Sequence, residues 1–154
     1  MKTVAFLSEK KVPFRLVPHS EVYDAQRLAQ TLHVTGREVA KTVLLRSEAS
    51  HVYVVAVLPA TRHVDLAKAG RALGSGKFEL AGEEEIAQRC PDCETGVLPP
   101  FGSQYGMRTL LDESLLRRDE IVFEGNTHRE AIRMKVADFR ELEEPLTADF
   151  TSES

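Results

Sequence analysis

The chain has 154 residues and a formal net charge of -4, with 20 Lys and Arg against 24 Asp and Glu. One domain of this length can bury a full core, and the acidic balance argues against a non-specific nucleic-acid binder. No apolar run reaches the length of a membrane span, and MKTVAFLSEKK holds too short an apolar segment for a signal peptide, so the expectation is a cytoplasmic protein with no membrane and no DNA partner.

Thr3 can cap a first helix over about 4–11, which Pro13 ends. Residues 14–17 read as a strand stopped by Pro18, and 19–23 as a loop. A helix follows over about 24–33, because Ala25, Leu28, Ala29 and Leu32 fall on one face. Gly36 breaks it, and a short turn leads to Lys41. Residues 42–46 and 52–58 are apolar runs of buried-strand character.

Residues 59–63 read as a loop. Asp65 is a plausible cap for the next helix, in which Leu66, Ala69, Gly70 and Leu73 share a face. A short strand is predicted at 78–80. Glu83, Glu84 and Glu85 then load the first turn of a helix, where carboxylates complement the helix dipole. It ends near Cys90-Pro91, and a glycine- and proline-rich loop spans 96–106. Strands are predicted at 109–111, 121–124 and 131–136, with Ile132, Met134 and Val136 alternating with Arg133 and Lys135. A last helix from about Ala137 turns Phe139 and Leu142 inward. The domain is expected over 1–145, with 146–154 a polar C-terminal tail.

This order of elements predicts a single α/β domain on one mixed, curved, barrel-like β-sheet flanked by helices, without the regular alternation of a doubly wound fold. Charge divides unevenly along it: residues 1–77 hold 12 Lys and Arg against 6 Asp and Glu, residues 78–154 hold 8 against 18. The basic half offers a footprint for a phosphate backbone only if the fold gathers those residues on one face; otherwise they are scattered solvated charge.

Three features carry chemistry. Lys41 stands at the root of a core strand, where its ammonium must reach solvent or be held by something polar in a pocket. Taken alone, a solvated lysine is the commoner outcome. Gly96-Val97-Leu98-Pro99-Pro100 joins a glycine, which permits close approach to a ligand, to prolines that stiffen the backbone, so its remaining N–H groups could be presented to a carbonyl or an oxyanion. A rigid connector is the alternative. Cys90-Pro-Asp-Cys93 has redox spacing but closes a helix instead of opening one, and it supplies half a zinc site. No bound metal and no cofactor are expected, and a structural or incidental role for the pair is preferred to redox or metal work.

Together, Ala40-Lys41-Thr42-Val43-Leu44, Val57-Leu58-Pro59-Ala60 with Val64-Asp65-Leu66, Gly96-x-x-x-Pro100 with Phe101-Gly102, Asp112, and Gly125 before Ile132 resemble the YbaK/prolyl-tRNA-synthetase-associated domain family over about Met1 to Leu142. The resemblance implies an aminoacyl-tRNA deacylase that removes a small non-cognate amino acid, commonly from tRNA for proline. Aminoacyl-tRNA is the implied partner, with a synthetase on which the protein could dock. It also implies that Lys41 is needed for activity, that Gly96, Val97, Leu98, Pro99 and Pro100 position the substrate carbonyl through backbone groups, and that the adenosine's free hydroxyl helps to activate water. Some members place a histidine opposite the lysine, and His128 lies in that region. The alternative from another class is a non-catalytic tRNA- or synthetase-binding module.

Overall fold

Two apolar runs pair to form the spine of the molecule. In a computed structural model that describes residues 2–20, 25–32, 35–49, 52–74, 76–94 and 97–153, Lys41 lies opposite Leu58 and Thr42 opposite Val57. The helices are α1 (Thr3–Glu9), α2 (Ala25–Leu32), α3 (Leu66–Ala72), α4 (Glu83–Arg89) and α5 (Val136–Glu143). The strands are β1 (Arg15–Pro18), β2 (Ala40–Ser47), β3 (Tyr53–Pro59), β4 (Arg62–Val64), β5 (Phe78–Leu80), β6 (Arg108–Asp112), β7 (Glu120–Glu124), β8 (Glu130–Lys135), β9 (Leu146–Ala148) and β10 (Thr151–Glu153). This is a mixed α/β domain.

The expected single sheet is divided into three. A five-stranded sheet has the order β5-β2-β3-β6-β9, with β3-β6 and β6-β9 parallel and the other pairs antiparallel. An antiparallel sheet has the order β1-β8-β7, and β10 pairs with β4. One bridge, Val39 to Val122, links the two larger sheets just before β2 begins.

Alternation sorts β2 between two cores. Ala40 and Leu44 enter the larger core with Leu98, Phe101, Phe123 and Phe139. Val43 and Leu45 join Leu58, Ala69 and Phe150 on the other face, against α3. Phe101 centres the larger core, with ring centroids 5.5 Å from Phe6, 5.6 Å from Phe123 and 5.2 Å from Phe139. Asp65 does cap α3, its carboxylate accepting from Lys68 N at 3.1 Å.

Four local expectations are corrected. Thr3 does not cap α1; it is the helix's first residue, buried, and its N–H donates to Asn126 Oδ1 at 2.7 Å. The 59–63 loop runs into strand β4, whose three residues have a partner only because β10 returns to them. Residues 146–153 are not a loose polar tail: β9 extends the large sheet, β10 pairs with β4, and Phe150 is fully buried. Residues 102–105, within the loop expected over 96–106, form a 3-10 helix. Gly102 makes that possible, since a Cβ there would meet Met107 O and Thr109 Oγ1 at 2.7 Å. Asp24 and His33, the expected ends of the second helix, lie outside the described residues.

Candidate functional site

The loop leading into Phe101 is a buried segment. Val97, Leu98, Pro99 and Pro100 are all buried; Gly96 lies outside the described residues. Two prolines in a row remove two donors and fix two φ angles, so the loop cannot easily rearrange. Its entry is held by Val97 N–H, which donates to Glu94 O at 3.0 Å. Beyond Phe101, Gly102 N–H donates to Thr109 Oγ1 at 2.9 Å, and that hydroxyl donates on to Glu143 Oε2 at 2.5 Å. Glu143 also takes Ser103 Oγ at 2.6 Å, which ties the exit of the loop to α5.

Thr42 joins this loop to β2, its hydroxyl donating to the carbonyl of Leu98. Lys41 leaves β2 on the opposite face, beside Leu58 and Val43, so the lysine and the loop, expected to converge on one pocket, are not brought together on one face of the strand. It is half-buried, and its ammonium makes no hydrogen bond or ion pair among the described residues. Burial without a partner lowers its pKa from the ordinary 10.5, because the charged form is the one that desolvation penalises. The strand therefore carries two polar positions in succession, one fixing the loop and one holding an unsatisfied cation.

His128 is buried. Its Nδ1 lies 3.2 Å from Glu124 Oε2, and its backbone N–H donates to Glu94 Oε2 at 3.4 Å. Glu94 N–H in turn donates to Asn126 O at 2.8 Å. The 126–128 turn and the residue just ahead of the loop are thus fastened together, although more than thirty residues separate them in sequence. Asn126 also reaches α1 through Thr3 N–H, and its amide nitrogen lies 3.3 Å from Cys93 Sγ.

Cys90 and Cys93 are joined by a disulfide, with Cα atoms 5.6 Å apart. Asp92 beside them shares its carboxylate with the Tyr105 hydroxyl, which donates to Oδ1 at 3.2 Å. Burial, and then the Asp92 charge, push the Tyr105 phenol far up from its ordinary 10.0. The ligand atoms of Cys90, Asp92 and Cys93 lie within 4.8 Å of one another, but sulfurs bonded to each other are not thiolate ligands.

Thr42, Asn126 and Glu143 hold the loop and the segments beside it, and reasoning from the sequence did not single them out. For Thr42 the available signal was its place directly after Lys41, on the other face of a strand whose period is two. For Asn126 and Glu143 no local pattern exists, since each acts on segments distant in the chain.

Comparisons with known proteins bear on this arrangement. A family described as the aminoacyl-tRNA editing domain matches residues 19–142. The multifunctional Ser/Thr-tRNA deacylase ProXp-y of Escherichia coli is 25% identical over 152 residues, covering 97% of this chain and 90% of that protein. The prolyl-tRNA editing protein ProX of Acetoanaerobium sticklandii is 20% identical over 143 residues, covering 90% and 87%. A crystal structure of a candidate trans-editing enzyme for prolyl tRNA synthetase superposes with a TM-score of 0.79 at 24% identity, covering 90% of this chain and 87% of that one, which is a likeness of fold.

Proposed function

The chain belongs to the aminoacyl-tRNA editing domain family, and from that premise we propose that it is an aminoacyl-tRNA deacylase that hydrolyses, in trans, the ester of a mischarged tRNA. The observation that carries this reading is the buried loop 97–100, held at its entry by Glu94, at its exit by Glu143 and at its middle by Thr42. Pro99 and Pro100 have no N–H and the Val97 N–H is taken by Glu94 O, so among residues 97–100 the Leu98 N–H is the donor this fixed backbone can offer to an ester carbonyl, without reorganising during the reaction.

In the reaction, water adds to the ester carbonyl and the bond to the ribose oxygen breaks. The proton lost by water ends on that oxygen. The free hydroxyl of the terminal adenosine helps to activate the water, so the protein need not supply a strong base. The loop holds the carbonyl on the Thr42 face of β2. Lys41, at the same end of the strand but on its other face, reaches past the start of β2 to the phosphate oxygens of the terminal nucleotide. A compact, poorly solvated ammonium suits that task. His128, linked to the loop through Glu94, borders the amino-acid end of the site.

The substrate proposed is tRNA for proline carrying a small non-cognate amino acid. One relative is named for Ser/Thr-tRNA and another for prolyl-tRNA editing. A small pocket excludes a larger side chain sterically, which is how a second sieve discriminates. We place the protein in the cytoplasm, where charged tRNA is found; among the described residues no helix is long and apolar enough to cross a membrane. We also propose that the five- and three-stranded sheets, bridged at Val39 and Val122, wrap around Phe101 as a curved, barrel-like unit, and that the domain runs on through the C-terminal strands.

A panel of mischarged tRNAs, assayed for release of the amino acid, tests the activity. Release from at least one member above the uncatalysed rate is expected. Binding of tRNA with no release from any member would point instead to a non-catalytic tRNA-binding module.

A further inference from the structure

The turn 36–38, the connection from β3 to β4, and the 3-10 helix Glu113–Arg117 meet at a cleft of about 410 Å³. Four arginines line it, Arg37, Arg62, Arg117 and Arg118, against a single carboxylate, Glu153. Arg62 is committed: its Nε donates to Thr151 Oγ1 at 2.5 Å, and its Nη1 lies 3.7 Å from Glu153. The guanidinium groups of Arg37, Arg117 and Arg118 make no hydrogen bond or ion pair among the described residues. Glu153 is 90% exposed and offers weak compensation.

The gathering is a product of the fold. Gly36 lets the turn that carries Arg37 lie against Thr61, since a Cβ at residue 36 would meet Thr61 Cγ2 at 2.8 Å. The buried Asp112 accepts from the backbone and hydroxyl of Ser114, starting the 3-10 helix that presents Arg117 and Arg118. The pairing of β10 with β4 brings Glu153 opposite Arg62. Two of the arginines come from the basic half of the chain and two from the acidic half.

Like charges collected without counter-charge destabilise a fold, and a bound polyanion removes that cost. Guanidinium forks match phosphate oxygens two at a time. The cleft also sits at the right place. Its Pro59 pairs with Ala40, the neighbour of Lys41, so it adjoins the end of β2 from which Lys41 projects. On a chain of net charge -4, three arginines in one cleft without ion-pair partners among the described residues are a local reversal of the overall balance.

We propose that this arginine cleft is the docking site for the sugar-phosphate backbone of the tRNA acceptor stem. It takes the stem while the terminal nucleotide reaches Lys41 and the 97–100 loop. The proposal rests on the deacylase reading for the choice of tRNA as the RNA, and it can fail separately from it.

The experiment measures binding of an uncharged acceptor-stem microhelix with a CCA overhang, by fluorescence anisotropy across a salt series. Activity plays no part in the readout. The variants are Arg37→Ala, the pair Arg117→Ala with Arg118→Ala, and all three together. Because phosphate contacts release counterions, each lost contact should lower the slope of log affinity against log salt by about one, and the triple change should weaken binding by about tenfold or more at low salt. The corresponding Arg→Lys changes should keep most of the slope, since they keep the charge. Arg140→Ala, an exposed change on α5 outside the cleft, should alter nothing. Circular dichroism melts check folding, and Arg→Gln changes at the same positions, which remove the charge but keep a long polar side chain, carry the test if an Ala variant does not fold. A folded triple variant that binds within twofold of the wild type, with the same slope, overturns the proposal. So does displacement of the microhelix by adenosine monophosphate at equal phosphate concentration, which would make the cleft a mononucleotide site. Lost deacylation with intact, cleft-dependent binding would count against the enzymatic reading alone.

Discussion

Replacing Lys41 by alanine separates a catalytic lysine from a surface one, and the structure sets the scale of the effect. The ammonium is half-buried and has no partner among the described residues. An ammonium about 4 Å from a phosphate oxygen gains about 1 kcal/mol in water and about 4 kcal/mol at the effective dielectric of a protein surface. A half-buried group falls between these limits, so about 2–3 kcal/mol is at stake, or a loss of roughly thirty- to a hundred-and-sixtyfold in deacylation. Stability should not fall with it. A lysine whose folded pKa lies below its unfolded one destabilises the fold while charged, and that cost is relieved as pH rises through the lowered value. Near neutral pH the alanine variant should therefore melt at or slightly above the wild-type temperature. Lys41→Arg keeps the charge but brings a broad fork, and it should restore activity only in part. The wild-type advantage over uncatalysed hydrolysis should also decline as pH rises through the lysine's lowered pKa, below the ordinary 10.5. The assay is release of the amino acid from a mischarged tRNA that the wild type deacylates, with uncatalysed blanks at each pH and circular dichroism in parallel. A folded Lys41→Ala protein with near wild-type activity refutes the assignment.

Thr42→Val removes the hydroxyl that holds Leu98 O while keeping the shape; stability should drop by about 1–3 kcal/mol, and kcat should fall more than KM changes. Thr42→Ser should recover most of kcat, and equal kinetics for Val and wild type would count against the loop's anchoring. Phe101→Ala empties the centre of the aromatic cluster at the exit of the loop. A cost of about 3–5 kcal/mol corresponds to a melting point lower by about 6–20 °C for a chain of this size, and a drop under about 3 °C would contradict the packing described. Glu85 accepts from the Tyr53 hydroxyl at 2.6 Å and from Arg46 at 2.8 Å, and its pKa is lowered from the ordinary 4.5, first by Tyr53, then by the N–H of Gly82, with the Arg46 charge adding to the shift. Its stabilisation is fully present above 4.5 and is lost as pH falls through the lowered value. The melting difference between wild type and Glu85→Gln should thus be larger at about pH 7 than at about pH 3, and an unchanged difference would show that the carboxylate's ionisation is not what stabilises.

Periodicity alone determined much of the chain. The apolar runs around residues 44 and 55 read as buried strands, the stripe on Ala25, Leu28, Ala29 and Leu32 as one face of a helix, and Asp65 as the cap before an apolar repeat, and each is found as read. These signals are local, so they survive without knowledge of the rest of the molecule. The same holds for the ordered set of Lys41 and the Gly-x-x-x-Pro loop, which pointed to the editing-domain family. Tertiary structure decided what depends on a distant partner. Strands β4, β9 and β10, three residues each, exist because neighbours distant in the chain complete their ladders. Which face of β2 meets the loop followed from register, and it selected Thr42 over Lys41. Arg37 and Arg118 lie about eighty residues apart in a chain of mixed charge, and no sequence window contains both. Their meeting in one cleft required a glycine turn, a buried aspartate and a returning C-terminal strand, each contributing a contact whose energy exists only once the others are in place.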